Sequence, residues 1–144
     1  MAAPATDPAS AVHSRLIAAA FALDVVLVIV FAVIGRASHR EELTLAGVAQ
    51  TTWPFLVGLV LGWLLTRAWQ HPLAVRRAGI GIWALTVIAG MLLRGVSDQG
   101  VSFPFVVVAT VVLLVFLVGW RAVVALVRRG RSRASARSSV EVSR

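Results

Sequence analysis

Four long apolar runs, each bounded by polar or basic segments, constrain this chain more than any other feature. They cover about residues 16–34, 53–69, 78–95 and 103–124. A bilayer core is about 30 Å thick and is crossed by about 20 helical residues. The first run, Leu16 to Ile34, has nineteen residues and one charge, Asp24. The runs are rich in Val and Ile, but they lack the alternation of a transmembrane barrel. A lone strand in hydrocarbon would leave its backbone unpaired, so each run is expected to be a helix. The expected fold class is therefore all-α, an integral membrane four-helix bundle.

The segments between the runs set the boundaries. Residues 1–14 are small, polar and interrupted by proline, and are expected to be disordered, as is the Arg/Ser-rich tail at 128–144. Residues 15–127 form the four-span domain. The first run is longer than the roughly 7–15 apolar residues of a signal peptide, and three more follow it, so a retained helix is expected. Pro54 is placed in the first turn of the second helix, where a missing N–H has no consequence. Ser102 is a candidate N-cap of the fourth, with Pro104 in its first turn. The uninterrupted third run, Ala78 to Leu93, spans only about 24 Å as a helix. That helix is expected to continue through Arg94.

Charge orients the bundle. All 14 basic residues are arginine, against six acidic ones. With the N-terminus inside, the inner segments carry eleven arginines: Arg15, Arg67, Arg76, Arg77 and the seven from Arg121 onward. The outer segments carry three, Arg36, Arg40 and Arg94. Basic residues collect in cytoplasmic loops, and tryptophans mark both interfaces. Trp53 then lies outside, with Trp69 and Trp120 inside. Both termini are expected in the cytoplasm, in the plasma (inner) membrane of a bacterium. Arginine without lysine, in a chain rich in Ala and Val, points toward a GC-rich bacterial genome.

Asp24 is the most informative residue, because an ionisable group near mid-span normally faces the bundle interior or a cavity. Two states are open to it. Protonated, it could donate to Thr86 or Thr110 at similar depth, since burial favours the neutral form. Ionised, it needs a cation, with Arg94 or Arg67 in reach. Arg121, beside Trp120, reads as an anchor at the inner face. Helical phase puts Gly35 and Ser38 on the Asp24 side, so a polar outer mouth would gather Arg36, Ser38, His39, Arg94, Asp98 and Gln99. Gly58 and Gly62 form a GxxxG pair for close helix packing, within the chain or in a homodimer.

Several chemistries are not expected. Ser38 and His39 are adjacent in sequence and far from Asp24, so no base is aimed at a nucleophile. Three histidines without ligand spacing, and no cysteine, give no metal site or cofactor. The arginine-rich tail sits next to the inner leaflet and suits anionic lipid better than nucleic acid.

A set of landmarks carries a resemblance: Asp24, Gly35-Arg36-Ala37-Ser38-His39, Pro54-Phe55 with Gly58, Gly90-Met91-Leu92-Leu93-Arg94, Asp98-Gln99-Gly100, Phe103 and Gly119-Trp120-Arg121. From about Leu16 to Arg121 the chain resembles the domain-of-unknown-function 3054 family of small bacterial, largely actinobacterial, membrane proteins. The resemblance implies a multi-span membrane protein of no assigned activity. Two functions stay open: a polar outer-half site for a small solute or proton, centred on Asp24 and Arg94, or a non-catalytic membrane subunit or scaffold. The expected partners are the lipid bilayer, anionic lipid at the tail, and a second copy or another membrane protein.

Overall fold

The computed structural model describes residues 8–38 and 42–142. Among these there are four α-helices and no strand: α1 (Pro8–Ser38), α2 (Leu45–Leu65), α3 (Ile80–Val96) and α4 (Phe103–Val142). A short 3-10 turn, Ala68–Gln70, and a π-helical turn, Val75–Gly79, connect α2 to α3. All four helices are long and apolar enough to cross a membrane, the third counted from Val75 through its π turn.

Side-chain contacts fix the directions. Phe21 of α1 meets Trp63 near the end of α2, while Phe31, ten residues later in α1, meets Phe55, eight residues earlier in α2. Phe31 also packs near Phe105 at the start of α4. Arg94, late in α3, lies 4.4 Å over the ring of that same Phe105. Successive helices are therefore antiparallel. The principal packing contacts run α1–α2, α2–α3, α3–α4 and back from α4 to α1, so α3 lies across the bundle from α1.

The α2–α3 contact is the most intimate, and the glycine pair explains why. A Cβ on Gly58 would stand 2.8 Å from the Thr86 carbonyl oxygen, and one on Gly62 would stand 2.9 Å from the Ile82 Cα. Only hydrogen at these positions lets the two backbones approach so closely. The Gly58–Gly62 face is thus turned toward α3 of the same chain. At the other end of this contact, Gly90 receives the ring of Phe55. Phe31, Phe55 and Phe105, with centroids 5.2–6.4 Å apart, fill the half of the core nearer the C-terminal end of α1.

Several boundaries differ from expectation. α1 begins at Pro8, inside the segment expected to be disordered; residues 1–7 lie outside the described residues. Proline is compatible with a first turn, and Ala-Ser-Ala-Val continues it. α4 runs to Val142 through the tail expected to be disordered. That tail contains no proline, and its alanines and arginines are strong helix formers. α2 starts at Leu45, within the expected connector, because the Thr44 hydroxyl caps it by accepting from the Gly47 N–H at 3.1 Å. Pro54 consequently sits inside α2 rather than in its first turn. α3 continues past Arg94 to Val96.

Candidate functional site

The half of the bundle nearer the N-terminal end of α1 is centred on a closed polar cluster around Asp24. Its side chain is fully buried, as is that of Arg121, ninety-seven positions away on α4. The two meet in a fork: Nη1 of Arg121 donates to Oδ1 at 2.8 Å and Nη2 to Oδ2 at 2.6 Å. Two indoles complete the shell. Trp63 of α2 donates its Nε1–H to Oδ2, and Trp120 of α4 donates to Oδ1, each at 2.9 Å. Asp24 thus accepts four hydrogen bonds, which is the full capacity of an ionised carboxylate.

The arginine is anchored as fully as its partner. Its Nε–H donates to the Pro72 carbonyl at 2.9 Å, and Nη1 also donates to the Leu117 carbonyl at 2.7 Å. Pro72 lies in the α2–α3 connection, and a Cβ on Gly79, in the π turn before α3, would meet the Arg121 stem at 3.2 Å. One ion pair therefore ties together α1, α2, α4 and the entry to α3. Removing two charges from water costs several kcal/mol per ion, and only a well-shaped pair with further hydrogen bonds offsets that cost. This pair has both.

Helix geometry explains why these two residues meet. The Cα–Cβ bond leans toward the N-terminus of its helix. In antiparallel α1 and α4, Asp24 leans toward the N-terminal end of α1 and Arg121 toward the N-terminal end of α4, so the two side chains converge. Arg94 is on α3, across the bundle, and Asp24 leans away from it.

This corrects the expectations for Asp24. Neither Arg94 nor Arg67 is its cation, and neither Thr86 nor Thr110 is its partner: each of those hydroxyls donates back to its own helix, to the Ile82 and Val106 carbonyls. Arg121 is a core residue and not an interfacial anchor. The signal that could have found it was Gly119-Trp120-Arg121, in which an arginine and an indole present donors side by side.

A family model for proteins of unknown function, DUF3054, matches residues 21–124. The chain belongs to that family. The DUF3054 region includes all four side chains of the cluster, Asp24, Trp63, Trp120 and Arg121, and excludes both terminal segments. The resemblance read from the landmarks is borne out at the family level. Neither a curated protein nor a solved structure matches the chain.

The other candidate polar residues do not join the cluster. Arg36 donates from Nε and Nη2 to the Glu42 carbonyl at 3.2 and 2.7 Å, and from Nη1 to the Thr51 hydroxyl at 3.2 Å. It thereby ties the α1–α2 connection to the first turns of α2. Ser38 donates back to the Ile34 carbonyl at 2.7 Å. His39 lies outside the described residues. Arg94 donates to the side-chain and main-chain oxygens of Gln99 at 3.0 and 3.1 Å and to the Gly100 carbonyl at 3.3 Å. Asp98, exposed, takes a left-handed backbone (φ 55°) in that same turn.

A second feature borders the cluster. An open apolar groove of about 430 Å³ runs between α1 and α2, lined by residues that include Ile17, Phe21, Leu64 and Trp69. Trp63 forms part of its wall while donating to Asp24, so its indole stands between the groove and the carboxylate. Among the described residues, no group of three or more His, Cys, Asp or Glu is placed to hold a metal.

Proposed function

We propose that this chain is an integral protein of a bacterial plasma membrane, with both termini cytoplasmic, that serves as a non-catalytic membrane subunit or scaffold. The observation that carries this reading is the saturation of Asp24. A carboxylate that exchanges protons or receives a solute needs an open lone pair or a wet approach. This one is fully buried and accepts from four donors of the same chain.

The other reading, an outer-half site for a small solute or proton, has less support. Asp24 is engaged toward the inner half, and Arg36 and Arg94 are spent on holding their connections. The apolar faces of the helices, and the charge bias that leaves Glu42 and Asp98 at the outer end with the arginine excess at the inner one, support the membrane topology.

Proton flux into liposomes separates the two readings. The full chain, reconstituted with a trapped pH-sensitive dye under an imposed pH gradient and potential, is expected to pass protons no faster than protein-free liposomes or the Asp24→Asn variant. Flux that depends on Asp24 overturns the scaffold reading.

A further inference from the structure

The turn between α2 and α3 holds a small basic pocket that plays no part in the Asp24 cluster. It encloses about 150 Å³ and is lined by Thr66, Arg67, Gln70, His71 and Arg77 together with the apolar walls Leu65, Ala68 and Ala78. Two arginines, a histidine and a glutamine therefore border one concavity, with no Asp or Glu in its wall.

These side chains are uncommitted. Arg67, Gln70, His71 and Arg77 are exposed, and among the described residues none of their side chains forms a hydrogen bond or ion pair within the chain. The backbone of the turn is already used: the Arg67, Gln70 and His71 N–H groups donate to the Leu64, Arg67 and Ala68 carbonyls. The Thr66 hydroxyl donates to the Gly62 carbonyl. Binding capacity in the pocket thus resides in side-chain donors, and those donors carry two full positive charges. The α2 C-terminus opposes an anion with about half a negative charge, which two guanidiniums outweigh. Of the carboxylate residues in the described segments, Asp24 is paired in the core, Glu42 and Asp98 belong to the α1–α2 and α3–α4 connections, and Glu141 falls near the end of α4.

We propose that this pocket binds a phosphate-type anion, a phosphomonoester or phosphodiester group gripped by Arg67 and Arg77 with Gln70 and His71 at its rim. Planar guanidinium forks suit phosphate oxygens, which they meet with paired charge-assisted hydrogen bonds. In the topology proposed above, the pocket faces the cytoplasm at headgroup level. The phosphate is thus that of an anionic phospholipid or of a soluble phosphate compound.

Two arms distinguish these sources, each comparing the full chain with Arg67→Gln/Arg77→Gln and with Arg76→Gln/Arg128→Gln, which removes the same charge outside the pocket. In the first arm, detergent-solubilised protein is mixed with phosphatidylglycerol or phosphatidylcholine and the retained lipid is read by native mass spectrometry. In the second, protein in phosphatidylcholine nanodiscs is titrated with inorganic phosphate and followed by phosphorus NMR. Loss of selective phosphatidylglycerol retention in the pocket variant alone identifies the lipid headgroup. A saturable phosphate signal, weakened about tenfold or more in the pocket variant alone, identifies a soluble phosphate; losing two charge-assisted contacts is worth at least that much. Equal losses in both charge variants, or no saturable binding in either arm, overturn the proposal.

Discussion

The guanidinium of Arg121 and the carboxylate of Asp24 lie in a parallel fork, with oxygen–nitrogen distances of 2.8 and 2.6 Å, and both side chains are sealed from solvent. Each is the other's counter-ion. Breaking a buried pair from one side strands a charge, which costs about 3–5 kcal/mol. Asp24→Asn and Arg121→Gln are each expected to lower stability by about that amount. The double variant should lose less than the sum of the two, because the neutral side chains no longer strand a charge. Steric-trapping or denaturant unfolding in bicelles measures all four corners of this cycle. Additive losses would show that the two residues act independently.

The two indoles can be separated by volume. Trp63→Phe and Trp120→Phe keep an aromatic ring and remove one donor to Asp24 each, with an expected loss of about 1–2 kcal/mol. Trp63→Ala should cost clearly more, because it also removes the edge contact with Phe21 and opens the wall between the apolar groove and the carboxylate. The same unfolding assay ranks the three variants, and equal losses for Phe and Ala at position 63 would count against this arrangement.

Glycine positions predict opposite signs within one helix bundle. Gly58→Ala and Gly62→Ala push a Cβ into the backbone of α3 and are expected to destabilise by about 1–3 kcal/mol. A Cβ on Gly95 or Gly119 meets nothing within 4 Å, so alanine there should be neutral or stabilising by up to about 1 kcal/mol through helix propensity. Thermal unfolding in detergent distinguishes the two pairs.

The native chain has no cysteine, so single cysteines report orientation cleanly. Ser102→Cys, between α3 and α4, should react with a membrane-impermeant maleimide on intact cells. Ser132→Cys and Ser14→Cys should react only after permeabilisation. Labelling of Ser14 and Ser132 from opposite faces would contradict the proposed topology.

Much of the architecture could be read directly from the residues. Length and apolarity alone mark the four helices, and a lone carboxylate inside one run marks Asp24 as a residue that must face the bundle interior or a cavity. Its partner was harder to see. Proximity of Arg121 to Trp120 has the same appearance at a membrane interface as in a core, and which applies depends on how antiparallel helices lean their side chains together. The helix ends were also less visible, since Leu45 to Thr52 and the tail contain residues that are acceptable both in helices and in polar connectors. The Thr44 cap settles the first case and the helix propensity of alanine and arginine the second.

The ion pair between α1 and α4 has an electrical consequence. A single unit charge carried across a membrane exchanges about 2.3 kcal/mol with each 100 mV of potential. In the membrane topology proposed above, Asp24 alone in the hydrocarbon would couple the fold to every change in membrane voltage. Locked to Arg121, it contributes a compact dipole of zero net charge, so polarisation and depolarisation exert almost no net force on the core.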